Sequence, residues 1–538
     1  MTPVSSPRSF GAPARRGLLF QLALCLGSGI SPAMAQTTLP PLPDSTGWGV
    51  HVLAAARDPQ GALWVGTYGE GIFRLPAGSK TWERIRHDSS TTSSISMDFI
   101  QAFAFGPRGE IWYGTVGNGW GLSLDGGKTW RNWAYEQLGP EWQYVAPDGI
   151  ATRGDTTVIA TADGLQITTD DGAHWTAIGD AVGPPARGPA DTVFPLLASE
   201  YVRRLAPDRL GWNVTTLRGN QRLRHTDAGW EVQPLGAAIF PPANTVLIGR
   251  QLFRGTPCGL KLPNDTLPCI QSSTAPEAAP PKDPLTTWLR RPIDRRDNWF
   301  IDQTYRYGST MGGFFQQHQG VEFNNPDGTP VMAAASGKVV YAGRAEQGAL
   351  TVAIRHDTTV RAHGKVLRLY SIYYHNSALL VKVGARVKTG QVISRVGNTG
   401  RATNDHLHLE LAISPTDSIG AIVDSLQRYP PYTTNPELWL QQIPGTGIVA
   451  GQVFDASGAP VMQARIYGIR KPVPTETPFS YAETYGEHGH PHPLYGEHFA
   501  VGDVPVGDYV IGTEINGKKV LRRITVEEGK LTWVVFRP

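Results

Sequence analysis

The first half of the chain contains a degenerate repeat of short apolar segments, and this repeat constrains the fold more than any other feature. Three units have an apolar segment ending in Gly-Thr or Ala-Thr, a second segment that begins with glycine, and then a tryptophan, and a fainter copy runs from Gly211 to Trp230. These tryptophans follow one another at intervals of about 45 to 55 residues: Trp82, Trp130, Trp175 and Trp230. Repeats of this length built from short strands are typical of β-propeller blades. The sequence therefore predicts a partial or small β-propeller of four or five blades.

Two turns inside the repeat resemble the Asp-box hairpin of sialidase-like propellers. They are S-L-D-G-G-K-T-W at 123–130 and T-T-D-D-G-A-H-W at 168–175. Asp-boxes are structural in that family, so the resemblance implies a propeller and carries no sialidase chemistry. We expect residues 48–270 to be a binding or spacing module, with a cell-wall component or a protein as its partner.

Composition extends the prediction of short strands to the whole chain. With 61 Gly, 43 Pro and 15 Trp in 538 residues, the sequence favours many strands joined by tight turns. Residues 271–284 form a Pro/Ala-rich linker, which is semi-rigid and polar. After it, no segment up to 440 keeps a helical period over 11 residues, so this region is expected to be all-β. Its predicted strands are 337–341, 350–355, 366–374, 391–396 and 407–413.

The last 90 or so residues have a pattern of their own. G-Q-V-F-D followed by A-S-G-A-P at 451–460 predicts a strand and a turn. Residues 499–511 predict a strand, a turn at P-V-G-D and a second strand. The segment 447–538 resembles the small transthyretin-like sandwich appended to carboxypeptidases and to many secreted bacterial proteins, which implies a C-terminal β-sandwich.

The N-terminus has the pattern of a signal peptide. Arg8, Arg15 and Arg16 form a basic region, residues 17–26 are apolar, and an A-x-A site ends at Ala35. The apolar run is too short to span a bilayer, and no other stretch reaches 18 apolar residues. We expect export, with cleavage after Ala35, to the periplasm or the outside of a bacterial cell.

The chain after Ala35 carries no net charge, because the three arginines of the signal segment account for the whole of the formal +3. Charge therefore indicates neither a nucleic-acid partner nor a membrane surface. Two cysteines remain, Cys258 and Cys269, in a Pro-rich loop. In an oxidising compartment they are expected to form a disulfide.

Four histidines and one glutamate between residues 318 and 410 have the spacing of a zinc-hydrolase site. They are His318 and Glu322 in H-Q-G-V-E, His375 in Y-Y-H-N, and His406 with His408 in D-H-L-H-L-E. In a strand, residues two apart share a face, so His406 and His408 are expected to point into the same space. A catalytic zinc takes three imidazole or carboxylate ligands from the protein and keeps one position open.

The same stretch resembles the lysostaphin/LytM-type zinc endopeptidases, which cut peptide cross-links in bacterial cell walls. The matching segments occur in the family's order at 318–343, 381–393 and 396–410. The resemblance implies that His318, Glu322 and His408 bind zinc, and that His375 and His406 are an unligated catalytic pair. Two positions depart from the family: Glu322 stands where it has aspartate, and Asp405 where it usually has proline.

Geometry adds an expectation about the first motif. In an extended strand, residues four apart lie about 13 Å apart, too far for a shared zinc ion. The chain must therefore bend between His318 and Glu322, and the backbone freedom of Gly320 is expected to permit the bend.

These features predict an exported, all-β, multidomain zinc metalloendopeptidase that cleaves stem peptides or cross-links of peptidoglycan. Two alternatives stay open: a catalytically inactive relative that controls a cell-wall amidase, and a glycan-binding propeller with hydrolase remnants. The linker also suggests that the propeller can be separated from catalysis. The predicted regions are a signal peptide at 1–35, a propeller at 48–270, a linker at 271–284, a LytM-type β-sheet or barrel-sandwich peptidase domain at 285–440 and a β-sandwich at 447–538.

Overall fold

The computed structural model describes residues 39–139, 142–180, 188–237, 240–265, 286–424, 428–472 and 478–538. Within these ranges the only α-helix is a single turn, α1 (Tyr135–Leu138), and strands make up most of the regular structure. The prediction of an all-β, multi-sheet chain is confirmed. No helix in the described ranges is long and apolar enough to cross a membrane. The predicted signal peptide and linker lie outside the described residues.

Residues 39–265, here called the N-terminal module, contain five successive sheets whose strands follow one another in chain order. The first sheet has strands β1 (Val52–Arg57), β2 (Leu63–Thr67), β3 (Ile72–Leu75) and β4 (Glu83–Ile85). The second has β5 (Ile100–Phe105), β6 (Ile111–Thr115), β7 (Trp120–Ser123) and β8 (Arg131–Trp133). The third has β9 (Val145–Arg153), β10 (Thr156–Thr161), β11 (Gly164–Thr168), β12 (Thr176–Asp180) and, parallel to β12, β13 (Thr192–Leu197).

The fourth and fifth sheets complete the module. The fourth has β14 (Val202–Pro207), β15 (Trp212–Thr216), β16 (Gly219–Thr226) and β17 (Gly229–Leu235). The fifth has β18 (Thr245–Ile248), β19 (Gln251–Thr256) and β20 (Gly259–Lys261). Cys258, in the last hairpin, is disulfide-bonded; Cys269, its expected partner, lies outside the described residues.

Neighbouring sheets of the module share buried side chains. Apolar clusters join the first sheet to the second, the second to the third, and the third to the fourth. Another cluster joins Phe253 of the fifth sheet to Val52 and Phe73 of the first. Two of the repeat tryptophans, Trp130 and Trp175, are buried in these clusters. The up-and-down order within each sheet is the order expected of a blade, and the propeller itself stays a prediction.

The two Asp-box turns are closed by their own side chains. The carboxylate of Asp125 accepts hydrogen bonds from the backbone nitrogens of Lys128 and Thr129 at 3.1 and 2.9 Å. In the second turn, Asp170 accepts from the nitrogen of His174 at 2.9 Å. These aspartates satisfy turn donors that would otherwise need water, which is a structural role.

Residues 286–440 form one large sheet and one small sheet. The strands are β21 (Val321–Asn324), β22 (Pro330–Met332), β23 (Gly337–Arg344), β24 (Leu350–Ala362), β25 (Lys365–Tyr374), β26 (Ala378–Leu379), β27 (Arg386–Val387), β28 (Val392–Arg395), β29 (His406–Ser414) and β30 (Thr433–Thr434). Short 3-10 turns lie at Glu346–Gly348, Ile419–Ala421 and Pro436–Leu438. The large sheet has the order β21-β29-β25-β24-β23-β27, with β30 also paired to β29, and the small sheet is β22-β28-β26. Each of the five predicted strands overlaps an observed one.

The C-terminal region consists of two sheets over a common core. Its strands are β31 (Thr446–Val453), β32 (Arg465–Tyr467), β33 (Tyr481–Glu483), β34 (Phe499–Pro505), β35 (Gly507–Ile515), β36 (Lys518–Val526) and β37 (Leu531–Phe536). The orders are β34-β31-β37 and β33-β32-β35-β36. Phe499 and Val534 of the first sheet pack against Ile511 of the second in one buried cluster. The likeness to transthyretin-like domains stays a prediction.

The three regions pack into one compact unit. The ring of Phe99 in the N-terminal module packs edge-on against the ring of Phe314, with 5.2 Å between ring centres. The ring of Tyr68 packs edge-on against that of Tyr481 in the C-terminal region, with 5.4 Å between centres. A buried ion pair at 2.5 Å joins Arg291 to Asp503. This shared packing runs against the expectation that the module is separable from the rest.

Candidate metal and peptidase site

Strand register brings the predicted site residues together. β21 pairs with β29 so that Glu322 lies opposite His408 and Asn324 lies opposite His406. On the other side of β29, Tyr374 is the partner of His408, and His375 follows as the first residue after β25. These strands and the residues next to them therefore place all five predicted residues around one cleft.

His318, Glu322 and His408 form a cluster whose ligand atoms all lie within 4.8 Å of one another. His318 Nε2 is 3.2 Å from His408 Nδ1 and 3.2 Å from Glu322 Oε1. The third edge, between His408 Nδ1 and Glu322 Oε1, is 3.9 Å. In a tetrahedral zinc site with bonds of about 2.0–2.1 Å, ligand atoms lie about 3.3 Å apart. Two imidazoles and a carboxylate at these separations could hold a metal ion, and their chemistry fits zinc.

His408 has an outer partner that sequence reasoning did not identify. Its Nε2 lies 3.2 Å from Glu410 Oε1 and can donate to this carboxylate, while Nδ1 is the nitrogen that faces His318 and Glu322. A carboxylate behind a histidine ligand is a common way to fix the ring's tautomer and orientation. The signal was present in the sequence, because the alternation H-L-H-L-E places Glu410 on the same strand face as His406 and His408.

Burial and charge act in opposite directions on the pKa values of this cluster. Burial alone would raise the pKa of Glu322, but the charge of His406 and hydrogen bonds with His318 and His408 hold it well below its usual range. Burial alone would lower the pKa of His408, and the carboxylates of Glu322 and Glu410 instead raise it to about 9. Burial lowers the pKa of His318. The carboxylate of Glu322 is thus ionised and available to a cation.

His375 and His406 form a second set beside the first. His375 Nδ1 donates to the carbonyl of Thr399 at 2.8 Å, and His406 Nδ1 donates to the carbonyl of Asn404 at 2.8 Å. A carbonyl can only accept, so each ring keeps its Nε2 lone pair free. The Nε2 of His406 is 3.7 Å from Glu322 Oε1, and the two rings are 4.8 Å apart. Burial and the charges of His406 and His408 hold the pKa of His375 well below its usual range.

Gly320 is required for a reason other than the one expected. Its φ is outside the left-handed region, so no unusual backbone conformation explains it. A Cβ at this position would instead lie 2.4 Å from the carbonyl oxygen of Leu409 and 2.8 Å from His408 Nε2. Glycine therefore permits the close approach of the H-Q-G-V-E segment to β29, and with it the contact between His318 and His408.

Asp405, the other departure from the family pattern, is buried beside the cluster. Its carboxylate accepts a hydrogen bond from the nitrogen of Asp327 at 2.8 Å. It also faces Glu200 of the N-terminal module, and burial together with neighbouring carboxylates raises the pKa of both groups. Asp405 thus takes part in the contact between the peptidase region and the N-terminal module.

The cluster opens into a cleft of about 400 Å³ that the N-terminal module helps to line. The peptidase region contributes Tyr305, whose ring stacks on His318 at 4.2 Å, together with Arg401 and Arg428. The module contributes residues that sequence reasoning missed: Val116, Gly117, Tyr135, Gln143, Tyr144 and Tyr201. No sequence signal marks them, because they reach the cleft only through the packing of the module on the peptidase region.

Comparisons with known proteins match the region that contains these residues. The model of Peptidase family M23 matches residues 316–418, which include all five predicted site residues. The peptidoglycan DD-endopeptidase ShyC of Vibrio cholerae is 36% identical over 129 residues, which are 24% of this chain and 27% of that protein. The uncharacterized lipoprotein YgeR of Escherichia coli is 30% identical over 210 residues, 37% of this chain and 72% of that protein.

Among solved structures, the catalytic domain of lysostaphin from Staphylococcus simulans is 30% identical. The match covers 26% of this chain and 86% of that one, with a TM-score of 0.18. The chain spans about a quarter of ShyC but nearly three quarters of YgeR. On the family match to the cleft and the extended similarity to YgeR, the chain belongs to peptidase family M23.

Proposed function

We propose that this protein is an exported, zinc-dependent endopeptidase that hydrolyses peptide bonds in peptidoglycan stem peptides or cross-links. One observation carries the proposal: a cluster with zinc-ligand chemistry and two histidines with free Nε2 atoms share one cleft. His318, Glu322 and His408 would hold the metal, and His375 with His406 would be the catalytic pair.

The chain's own groups account for the proton movements that hydrolysis needs. Zinc, when bound, supplies a Lewis acid for the scissile carbonyl and makes water acidic enough to act as a nucleophile near neutral pH. Because Nδ1 of His375 and of His406 is committed to a carbonyl, each Nε2 can accept a proton from the attacking water. The protonated Nε2–H can then donate to the developing oxyanion or to the leaving amine.

The choice of peptidoglycan rests on the relatives and on the N-terminus. ShyC is named as a peptidoglycan DD-endopeptidase, and it is 36% identical to this chain over 129 residues. The signal-peptide pattern of residues 1–35 supports delivery to the periplasm or the cell exterior, where peptidoglycan lies. We also propose that the five N-terminal sheets are a small propeller whose partner is part of the wall or a wall protein.

The rival proposal is a catalytically inactive relative that controls a cell-wall amidase. It draws on one feature, the glutamate at position 322 where the family resemblance implies aspartate. Glutamate offers the same oxygen donor on a side chain longer by one methylene, and Glu322 Oε1 already lies 3.2 Å from His318 Nε2. The retention of all four histidines favours the enzyme.

Zinc content measured beside dye release from labelled sacculi separates the two proposals. We expect one zinc per chain and hydrolysis in the wild type, loss of zinc in His408→Ala, weakened zinc binding in Glu322→Ala, and retained function in Glu322→Asp. Unchanged zinc stoichiometry in His408→Ala would refute the ligand assignment. A wild type that binds zinc without hydrolysing sacculi, and a Glu322→Ala variant with unaltered zinc affinity, would favour the regulator.

A further inference from the structure

Two arginines of the peptidase region, Arg401 and Arg428, line the same cleft as the histidine cluster. Neither makes an ion pair within 4 Å of a carboxylate anywhere in the described part of the chain. Glu346, which also lines the cleft, is the acid that acts on Arg401, but it forms no such pair with it. Asp302, Glu322 and Glu410 line the cleft as well, and none of them forms an ion pair with either arginine. The two guanidiniums thus bring positive charge into the cleft without a paired carboxylate among its described residues.

Both arginines are attached to the segment that carries His318. Arg401 Nη1 donates to Gln316 Oε1 at 3.4 Å. The backbone carbonyl of Arg428 accepts a hydrogen bond from the side-chain amide of Gln319. Their positions are therefore fixed relative to residues that lie within two positions of a proposed metal ligand.

Arg428 is held in place by aromatic stacking. Its guanidinium carbon lies 5.4 Å from the centre of the Tyr429 ring, and Tyr429 stacks on His488 at 3.8 Å with an interplanar angle of 13°. The Nε of Arg428 is buried and has no hydrogen-bond partner in the described residues. A buried, unpaired guanidinium donor beside an open cleft is a costly arrangement unless a ligand accepts from it.

The arrangement has the electrostatics of an anion site. Burial lowers the pKa of Arg401, and the positive charge of Arg428 lowers it further, so the two cations repel each other. An anion between them would remove this repulsion, and a carboxylate matches the planar fork of a guanidinium. Both charges also act on Tyr305, whose ring covers His318, so such an anion would lie close to the metal cluster.

We propose that Arg401 and Arg428 form a subsite for a free carboxylate of the peptide substrate, in the cleft that they share with the histidine cluster. The identity of the ligand as a peptide rests on the proposed function. Peptidoglycan stem peptides have carboxylates at chain ends and on side chains, so this subsite would select a cross-link that keeps a free carboxylate beside it.

The test compares a stem-peptide dimer that has free carboxylates with the same dimer converted to carboxamides. Dissociation constants are measured by calorimetry on the zinc-loaded His406→Ala protein, and kcat and KM on the protein with His406 intact. Each background is prepared with Arg401→Gln, with Arg428→Gln and with Arg361→Gln. Arg361 is an exposed arginine on β24 outside the cleft, and it serves as the matched control.

Without an arginine substitution, amidation should weaken binding by about 10–100-fold, the loss expected for hydrogen bonds to a charged group. Arg401→Gln and Arg428→Gln should weaken binding of the free-carboxylate dimer to a similar extent, raise KM more than they lower kcat, and abolish the preference over the amide. Arg361→Gln should change neither the affinity for the free-carboxylate dimer nor the preference for it over the amide. If Arg401→Gln and Arg428→Gln weaken the binding of both dimers by the same factor, the proposal is overturned.

The two proposals fail in different ways. If the wild type cleaves both dimers with the same KM, the carboxylate subsite is refuted and the peptidase function stands. If the wild type cleaves neither dimer while calorimetry still shows the preference for free carboxylates, the peptidase function is refuted and the subsite stands.

Discussion

At the scale of single residues, the backbone at His375 sets the direction of a proposed catalytic group. Its φ is +62°, in the left-handed region that a non-glycine residue seldom adopts. The side chain of the next residue, Asn376, donates to the carbonyl of Tyr373 at 2.7 Å, and the His375 ring is anchored on Thr399. These bonds hold a backbone conformation that costs energy, and such conformations concentrate at functional sites.

His375→Ala and His406→Ala should leave zinc stoichiometry unchanged and lower kcat by about 10²–10⁴-fold, the usual contribution of a general acid or base. His375 and His406 lie outside the proposed ligand set, although with His408 they form a second group whose ligand atoms lie within 4.8 Å of one another. Each of the two rings uses Nδ1 on a carbonyl and keeps Nε2 free. Metal analysis and steady-state hydrolysis of a soluble wall peptide measure the two effects. A loss below tenfold in both variants would mean that the residues are structural.

Glu410→Gln should weaken zinc binding by about 10–100-fold, because the carboxylate orients His408 through its Nε2. The amide is isosteric but neutral, so the fold should persist. Competition with a chelator gives the affinity, and Glu514→Gln, at an exposed position of β35, is the control. The same zinc affinity in Glu410→Gln and Glu514→Gln would show that Glu410 does not support the metal ligands.

At the scale of elements, β29 organises the site. It is buried along its whole length, pairs with β21 on one side and β25 on the other, and carries two site histidines and Glu410 on one face. The H-Q-G-V-E segment must lie directly against it for His318 to reach His408. The close packing of Gly320 on Leu409 makes that approach possible.

Gly320→Ala should therefore reduce zinc binding and hydrolysis together, since the new methyl group pushes His318 away from His408. Gly343→Ala is a matched control in β23, where an added Cβ meets nothing closer than 3.8 Å. Zinc titration of both variants, with circular dichroism to verify folding, measures the difference. Wild-type zinc affinity in Gly320→Ala would show that β29 tolerates the added volume.

At the scale of the whole molecule, the N-terminal module is part of the peptidase unit. Tyr68 and Phe99 of the module share a buried cluster with Met311 and Tyr481. Tyr201 of the module lines the cleft, and its hydroxyl accepts a hydrogen bond from the side-chain amide of Asn324 at 3.4 Å. The module thus supplies both packing for the other two regions and one wall of the cleft that contains the histidine cluster.

A fragment of residues 286–538 should consequently be less stable than the whole protein and should bind substrate more weakly. Exposure of Met311 and Tyr481 alone costs about 1.5–3 kcal/mol each. At about 2–4 °C for each kcal/mol, the Tm should fall by on the order of 10 °C. Thermal unfolding and the KM for a soluble wall peptide test this expectation. A fragment with the Tm and KM of the whole protein would restore the view that the module is separable.

Sequence patterns predict those features of the fold and the site that depend on neighbouring residues in the chain. The strand period of two places His406 and His408 on one face, and the same period could have identified Glu410. The many glycines and prolines indicated an all-β chain. The pairing of Glu322 with His408 is a matter of register between strands about 85 residues apart, which no local period encodes.

Only the tertiary structure decided why residue 320 is glycine, because the reason is the nearby carbonyl of Leu409 and not the local backbone conformation. It likewise decided that Tyr144 and Tyr201 reach the cleft and that Arg401 and Arg428 lie together there. These juxtapositions arise from packing between regions that are distant in the chain. Such packing depends on the shapes of whole surfaces, which short motifs do not record.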